Sequence, residues 1–169
     1  MRKSVLVIMT AIMILGVVLF SGQFSHATAK EPKILEFDTL VGLPSALTGT
    51  QNPIRGINGG GLPWTLTSAS GELKASGKLE IKVKGLVFAA GPNEGSNTIP
   101  DFRAIVSCLQ SDGSVENVTS ELFPATIGAA MDGGGDAKIE TRLSLPQPCI
   151  APIIFVTSPS GAWFAVTGN

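Results

Sequence analysis

The chain has no tyrosine, and its only histidine is His26. Aromatic residues make up 6% of it and charged residues 15%, and there are just two cysteines. No window holds apolar residues at helical i, i+3, i+4, i+7 spacing for three turns, which argues against a helical domain. From Pro148 to Asn169 no charged side chain occurs.

The histidine leaves with the first segment. Met1-Arg2-Lys3 is basic, Val5 to Phe20 is uncharged and apolar, and a small polar stretch ends in Ala27-Thr28-Ala29. That order is the pattern of a secretory signal peptide, an N-terminal signal helix removed on export. Cleavage is expected after Ala29, with small residues at Ala27 and Ala29; Ser25 and Ala27 would serve almost as well. The apolar run falls short of the roughly 20 residues of a membrane span, which weighs against an uncleaved anchor. The expected mature domain is 30–169, a single domain of a size that supports a core. Loss of Arg2 and Lys3 leaves ten basic residues against thirteen acidic, a mature net charge of −3. The expected location is secreted, outside the cytoplasm.

A mature chain without histidine cannot run Ser-His-Asp or Cys-His catalysis. The common zinc and copper sites lose their main ligand. No serine stands three residues before Lys74, Lys78, Lys82, Lys84 or Lys138, so the Ser-x-x-Lys pairing is missing there. The sequence therefore predicts no enzyme and no cofactor. Paired carboxylates remain open in principle, with Glu94, Asp101 and Glu121 as candidates for a carboxylate-based hydrolase. Calcium is the one conceivable metal, through Asp132 and Asp136 around three glycines. Solvated acids on a loop are the plainer reading of that pair. The negative charge argues against nucleic acid as a partner, and the cluster Lys78, Lys82, Lys84 is interrupted by Glu80.

What is present is a chain punctuated by turn residues. Short alternating runs lie between them: Lys33–Leu40, Glu72–Phe88, Phe102–Gln110, Val115–Phe123, Ala137–Leu145, and the pair Ile153–Thr157 and Ala162–Thr167. Leu79, Ile81 and Val83 alternate with Glu80, Lys82 and Lys84, the mark of a strand with one wet face. Seven to nine strands are expected, in an all-β, immunoglobulin-like antiparallel β-sandwich, with a small β-barrel as the alternative. The two glycine-rich stretches, Arg55–Gly61 and Met131–Asp136, lack the following helix of a phosphate cradle and read as mobile loops.

In an exported protein an even cysteine count reads as a disulfide, here Cys108–Cys149. The closed loop of about 42 residues would stabilise by roughly 4 kcal/mol. Trp64 follows a glycine-rich loop and Pro63, so an indole at a sandwich end becomes a candidate for stacking on a sugar ring. Trp163 is the second candidate: the hairpin around it is apolar on both faces, and one face must be covered by its own chain or by a partner.

"GGGLPW" (Gly59–Trp64), "FRAIVSC" (Phe102–Cys108) and "PCIAPIIFVTSPSGAWFAVTG" (Pro148–Gly168) resemble a group of small uncharacterised exported bacterial proteins. The resemblance implies a bacterial exported protein with its cysteines paired, and it implies no activity. Together these readings lead to an exported, non-catalytic β-sandwich that binds or supports outside the cell. The rival is a carbohydrate or cell-envelope binding module built on Trp64, with an envelope glycan or protein as partner.

Overall fold

The run Lys78–Lys84 becomes a strand with the alternation its sequence predicts: Leu79, Ile81 and Val83 are buried while Lys82 and Lys84 are exposed. The structure is a computed structural model and describes residues 30–168. The signal peptide and its cleavage at Ala27 and Ala29 lie outside the described residues.

Strands β1 (Lys33–Phe37) and β2 (Val41–Gly42) come first. After a 3-10 turn at Ser45–Leu47 follow β3 (Trp64–Thr65), β4 (Ser68–Lys74), β5 (Lys78–Lys84), β6 (Val87–Phe88) and β7 (Ser96–Asn97). Then come β8 (Asp101–Leu109), β9 (Val115–Thr119), β10 (Phe123–Pro124) and β11 (Gly128–Ala129). A second 3-10 turn, Ala130–Asp132, leads to β12 (Ala137–Arg142), β13 (Ile150–Thr157) and β14 (Trp163–Val166). Eight of these strands have four or more residues, which falls within the expected range, and six are two-residue pairings. Among the described residues no helix is long and apolar enough to cross a membrane.

All the strand ladders are antiparallel. One sheet has the order β1-β4-β5-β12; a second has the order β10-β8-β13-β14-β2, with β9 on β8. Two small ladders, β11–β7 and β3–β6, complete the set. No sheet closes on itself, so the barrel alternative does not hold. From Glu31 onward the chain is one compact unit. A single hydrophobic cluster takes Leu73, Leu79, Ile81 and Ile139 from the first sheet and Phe102, Val106, Ile154 and Val156 from the second.

The central strands of the second sheet, β8, β13 and β14, are buried on both faces along most of their length. Ala104 through Cys108 are all buried, as are Ile154–Thr157 and all of β14. Directly opposed residues share a face. Val106 with Ile154 and Ala104 with Val156 form one face, and Ile105 with Phe155 the other. The hairpin β13–β14 turns at Ser158–Gly161 as its sequence suggests, with Ser158 N donating to Ala162 O. Val156 pairs with Ala165 but Thr157 pairs with Trp163, so Phe164 is the extra residue of a bulge. That bulge lets Phe164 join Phe102, 5.9 Å between ring centroids, while Trp163 packs with Phe155 at 6.2 Å.

The segment that covers the outer face is the glycine-rich stretch expected to be a mobile loop. It lies along β14 as a strap: Trp163 N donates to Asn58 O (2.9 Å) and Gly60 N to Trp163 O (3.0 Å). Arg55 Nη1 donates to Ser107 O (2.8 Å), and Asn117 Nδ2 to Arg55 O (3.1 Å). Ile57, within the strap, is buried. Glycine is required there for closeness: a Cβ at Gly59 would sit 2.2 Å from Leu47 O. The second stretch is packed as well. Gly135 has φ +77°, and a Cβ on it would meet Leu86 O at 2.1 Å. Both stretches are thus close-approach segments, and polar composition hid this because glycine carries no hydrophobic signal.

Candidate functional site

The four-stranded sheet leaves one face to solvent, and register arranges its charges in rows. Glu36 lies opposite Glu72, Glu72 opposite Glu80, and Glu80 opposite Glu140. Four carboxylates therefore stand in line across all four strands. On one side of that row Lys33 faces Lys74, and Lys78 faces Arg142. On the other, Ser70 faces Lys82, and Lys82 faces Lys138.

Like charges directly opposite one another cost stability, typically a few tenths of a kcal/mol or more per pair. Ion pairs along the strands offset this. Lys33 reaches Glu36 (2.5 Å) and Glu72 (2.8 Å), and Lys74 reaches Glu72 (3.2 Å). Lys78 pairs with Glu80, and Lys138 with Glu140 at 2.7 Å. The consequence is electrostatic. Hydrogen bonds from Lys33 and then Lys74 hold the Glu72 carboxyl below its ordinary value, and Lys78 does the same for Glu80. In return Glu36 and Glu72 raise Lys33, and Glu80 raises Lys78.

Two grooves run over this face. One, of about 590 Å³, is lined by Glu36, Asp38, Glu72, Glu80 and Lys82 over a floor at Ser70 and Gly71. The other, of about 500 Å³, is bordered by Lys82, Lys84 and Lys138 beside Pro124 and Thr126. Lys82 separates the two.

Both tryptophans are elsewhere. Trp64 is 3% exposed, stacked on Phe164 at 3.9 Å and against Phe88 at 4.1 Å. Trp163 is 0% exposed. Neither presents a ring face to a ligand, so the expected stacking role is corrected. Three phenylalanines from β6, β8 and β14 surround Trp64, and no local feature of "GGGLPW" reveals that they converge.

Asp136 is also committed. Its carboxylate accepts from Gly85 N (3.0 Å) and from Lys84 Nζ (2.6 Å), which ties the Gly133–Gly135 turn to the end of β5. Asp132 sits in the 3-10 turn on the solvent side. Among the described residues no group of three or more His, Cys, Asp or Glu is placed to hold a metal, so the structure does not build the calcium site. The hydrolase candidates are scattered: Glu94 lies in the loop before β7, and Asp101 opens β8. Glu121 accepts from the Thr141 hydroxyl at 2.9 Å.

Cys108 and Cys149 form a disulfide with 4.8 Å between Cα atoms. It joins β8 to the residue before β13, one position from the pair Leu109–Ile150. Sequence reasoning missed Asn97. Its buried amide donates to Ile99 O (2.8 Å) and Thr126 O (2.9 Å) and accepts from Ile99 N (2.9 Å), fixing β7 beside the segment after β10.

The fold and these features define an all-β, disulfide-bonded domain with one packed sheet and one charged open face. Compared with known proteins, the chain matches no family model, no curated protein and no solved structure.

Proposed function

We propose that this is an exported, non-catalytic binding module of bacterial origin, an immunoglobulin-like sandwich that works through the solvent face of its four-stranded sheet. One observation carries the reading: that face keeps rows of like charge in register across four strands. Such rows cost the fold stability, and a charged surface presented to a partner gives a reason for them. The disulfide supports a location outside the reducing cytoplasm. An envelope glycan or protein is the partner.

The hydrolase alternative now turns on Glu72 and Glu80, which face each other in one groove. Glycoside hydrolysis needs one carboxyl with a raised pKa to protonate the leaving oxygen. Hydrogen bonds from lysines lower both instead, which favours the non-catalytic reading. The Trp64 module fails on burial of the indole.

Co-sedimentation of the purified mature protein with isolated cell envelopes tests the proposal. Saturable retention at physiological salt, released by high salt, is expected. Protein left wholly in the supernatant would end this reading.

A further inference from the structure

We infer that the groove beside β5 and β12 binds an anionic glycan chain. This rests on the reading of the sheet face as the working surface. Lys82 and Lys138 face each other across neighbouring strands, and Lys84 follows on the same face of β5. All three line the groove of about 500 Å³, with the exposed Pro124 supplying apolar surface at its border. A volume of that order is typical of ligand sites.

Charge points the same way. Asp136 is the one carboxylate in the lining, so three ammonium groups leave an excess of two positive charges. The chain as a whole is net negative. Lys84 is paired with Asp136 and Lys138 with Glu140, whereas Lys82 makes no ion pair among the described residues. The pair to Glu140 is exposed on both sides, a kind of contact worth little, and Lys138 can leave it for a better anion. Acidic substituents of a glycan meet the ammonium groups, and the C–H face of a ring meets the exposed Pro124.

An anionic bilayer is the competing partner, because exposed apolar residues flank the groove. Thr126 and Asp136 line it and are joined by a backbone hydrogen bond of 2.9 Å; the hairpin they close carries Ile127 (60% exposed) and Met131 (91% exposed). Two carboxylates oppose that docking. Asp132 adjoins Met131, and Glu94 precedes Gly95, whose carbonyl accepts from Ala130 N at 3.0 Å. Both are exposed and repel an anionic leaflet.

Calorimetric titration with polygalacturonate, neutral dextran, inorganic polyphosphate and phosphatidylglycerol vesicles tests this. Polygalacturonate should bind saturably, more weakly as salt rises, and dextran should not bind. The double variant Lys82→Ala/Lys138→Ala should lose at least tenfold in affinity. Lys30→Ala, outside the four strands of the sheet, should stay within about twofold of the parent, with thermal midpoints of both variants close to that of the parent. The inference is overturned by no saturable binding, by binding of polyphosphate or vesicles but not polygalacturonate, or by equal losses in both variants. Envelope retention that survives in the double variant sinks this groove and spares the broader reading. A parent that is never retained sinks both.

Discussion

The sheets around β5 and β8 share antiparallel pairing and a hydrophobic cluster, yet they divide the chemistry of the chain unevenly. Around β5 every second residue is charged and faces water. Along β8, β13 and β14 both faces are covered, the inner one in the shared cluster and the outer one in part by the Arg55–Gly60 strap, while β9 at the edge stays exposed. Strain is spread unevenly too. The open sheet sets like charges opposite each other, while burial of the second sheet leaves Trp163 Nε1 and Ser107 Oγ without hydrogen-bond partners. The lesson is that both sheets share one core, while only the open sheet keeps a face free to carry charge.

The sharpest way to break that contrast is to empty the sealed side. Trp163→Ala should cost about 3–5 kcal/mol in chemical denaturation, whereas Lys82→Ala should stay within about 0.5 kcal/mol. Similar losses for the two would dissolve the distinction. Next comes the disulfide, which closes a span of 41 residues onto the buried strands. Its removal by Cys108→Ala/Cys149→Ala should cost roughly 4 kcal/mol. Intact mass with and without reductant should differ by two hydrogens, and free thiols in the unreduced exported protein would refute the pairing.

Gly59→Ala tests the strap itself. The added methyl meets Leu47 O, and a loss of about 1–3 kcal/mol is expected, with increased acrylamide quenching of tryptophan emission. In the parent both indoles should resist quenching; ready quenching would show that one of them is exposed after all. The smallest effect belongs to the open face. The lowered carboxyls of Glu72 and Glu80 contribute stability above about pH 4.3, the ordinary glutamate value, and that contribution fades as pH falls through their folded values. The raised Lys33 and Lys78 contribute below their ordinary value near pH 10.4 and lose it as pH rises through their folded values. Both losses are slight, because the groups are exposed. Glu72→Gln should flatten the acid limb of the thermal midpoint against pH, and an unchanged limb would remove the ion pairs from the account.

How much was legible varies by residue. Leu79, Ile81 and Val83 declared their burial through period-two alternation, and the hairpin of β13 and β14, apolar on both faces, declared strands that need cover on both sides. The disulfide followed from an even count of two cysteines and the expectation of export. Trp64 misled, because burial of an indole depends on Phe88 and Phe164, 24 and 100 positions away. The glycine-rich stretches misled for the opposite reason: glycine marks closeness of backbones only once the other backbone is known.

By itself the sequence determined the strand-forming pattern, the presence of a single pair of cysteines and the absence of histidine from residues 30–169. These are local or compositional properties. The tertiary structure alone decided which strands are neighbours and in what register. It thereby aligned Glu36, Glu72, Glu80 and Glu140, set Lys82 against Lys138, and laid the strap over Trp163. Register between distant segments is fixed by burying one face of each strand and by the lengths of the connections, and no single stretch of residues contains that information.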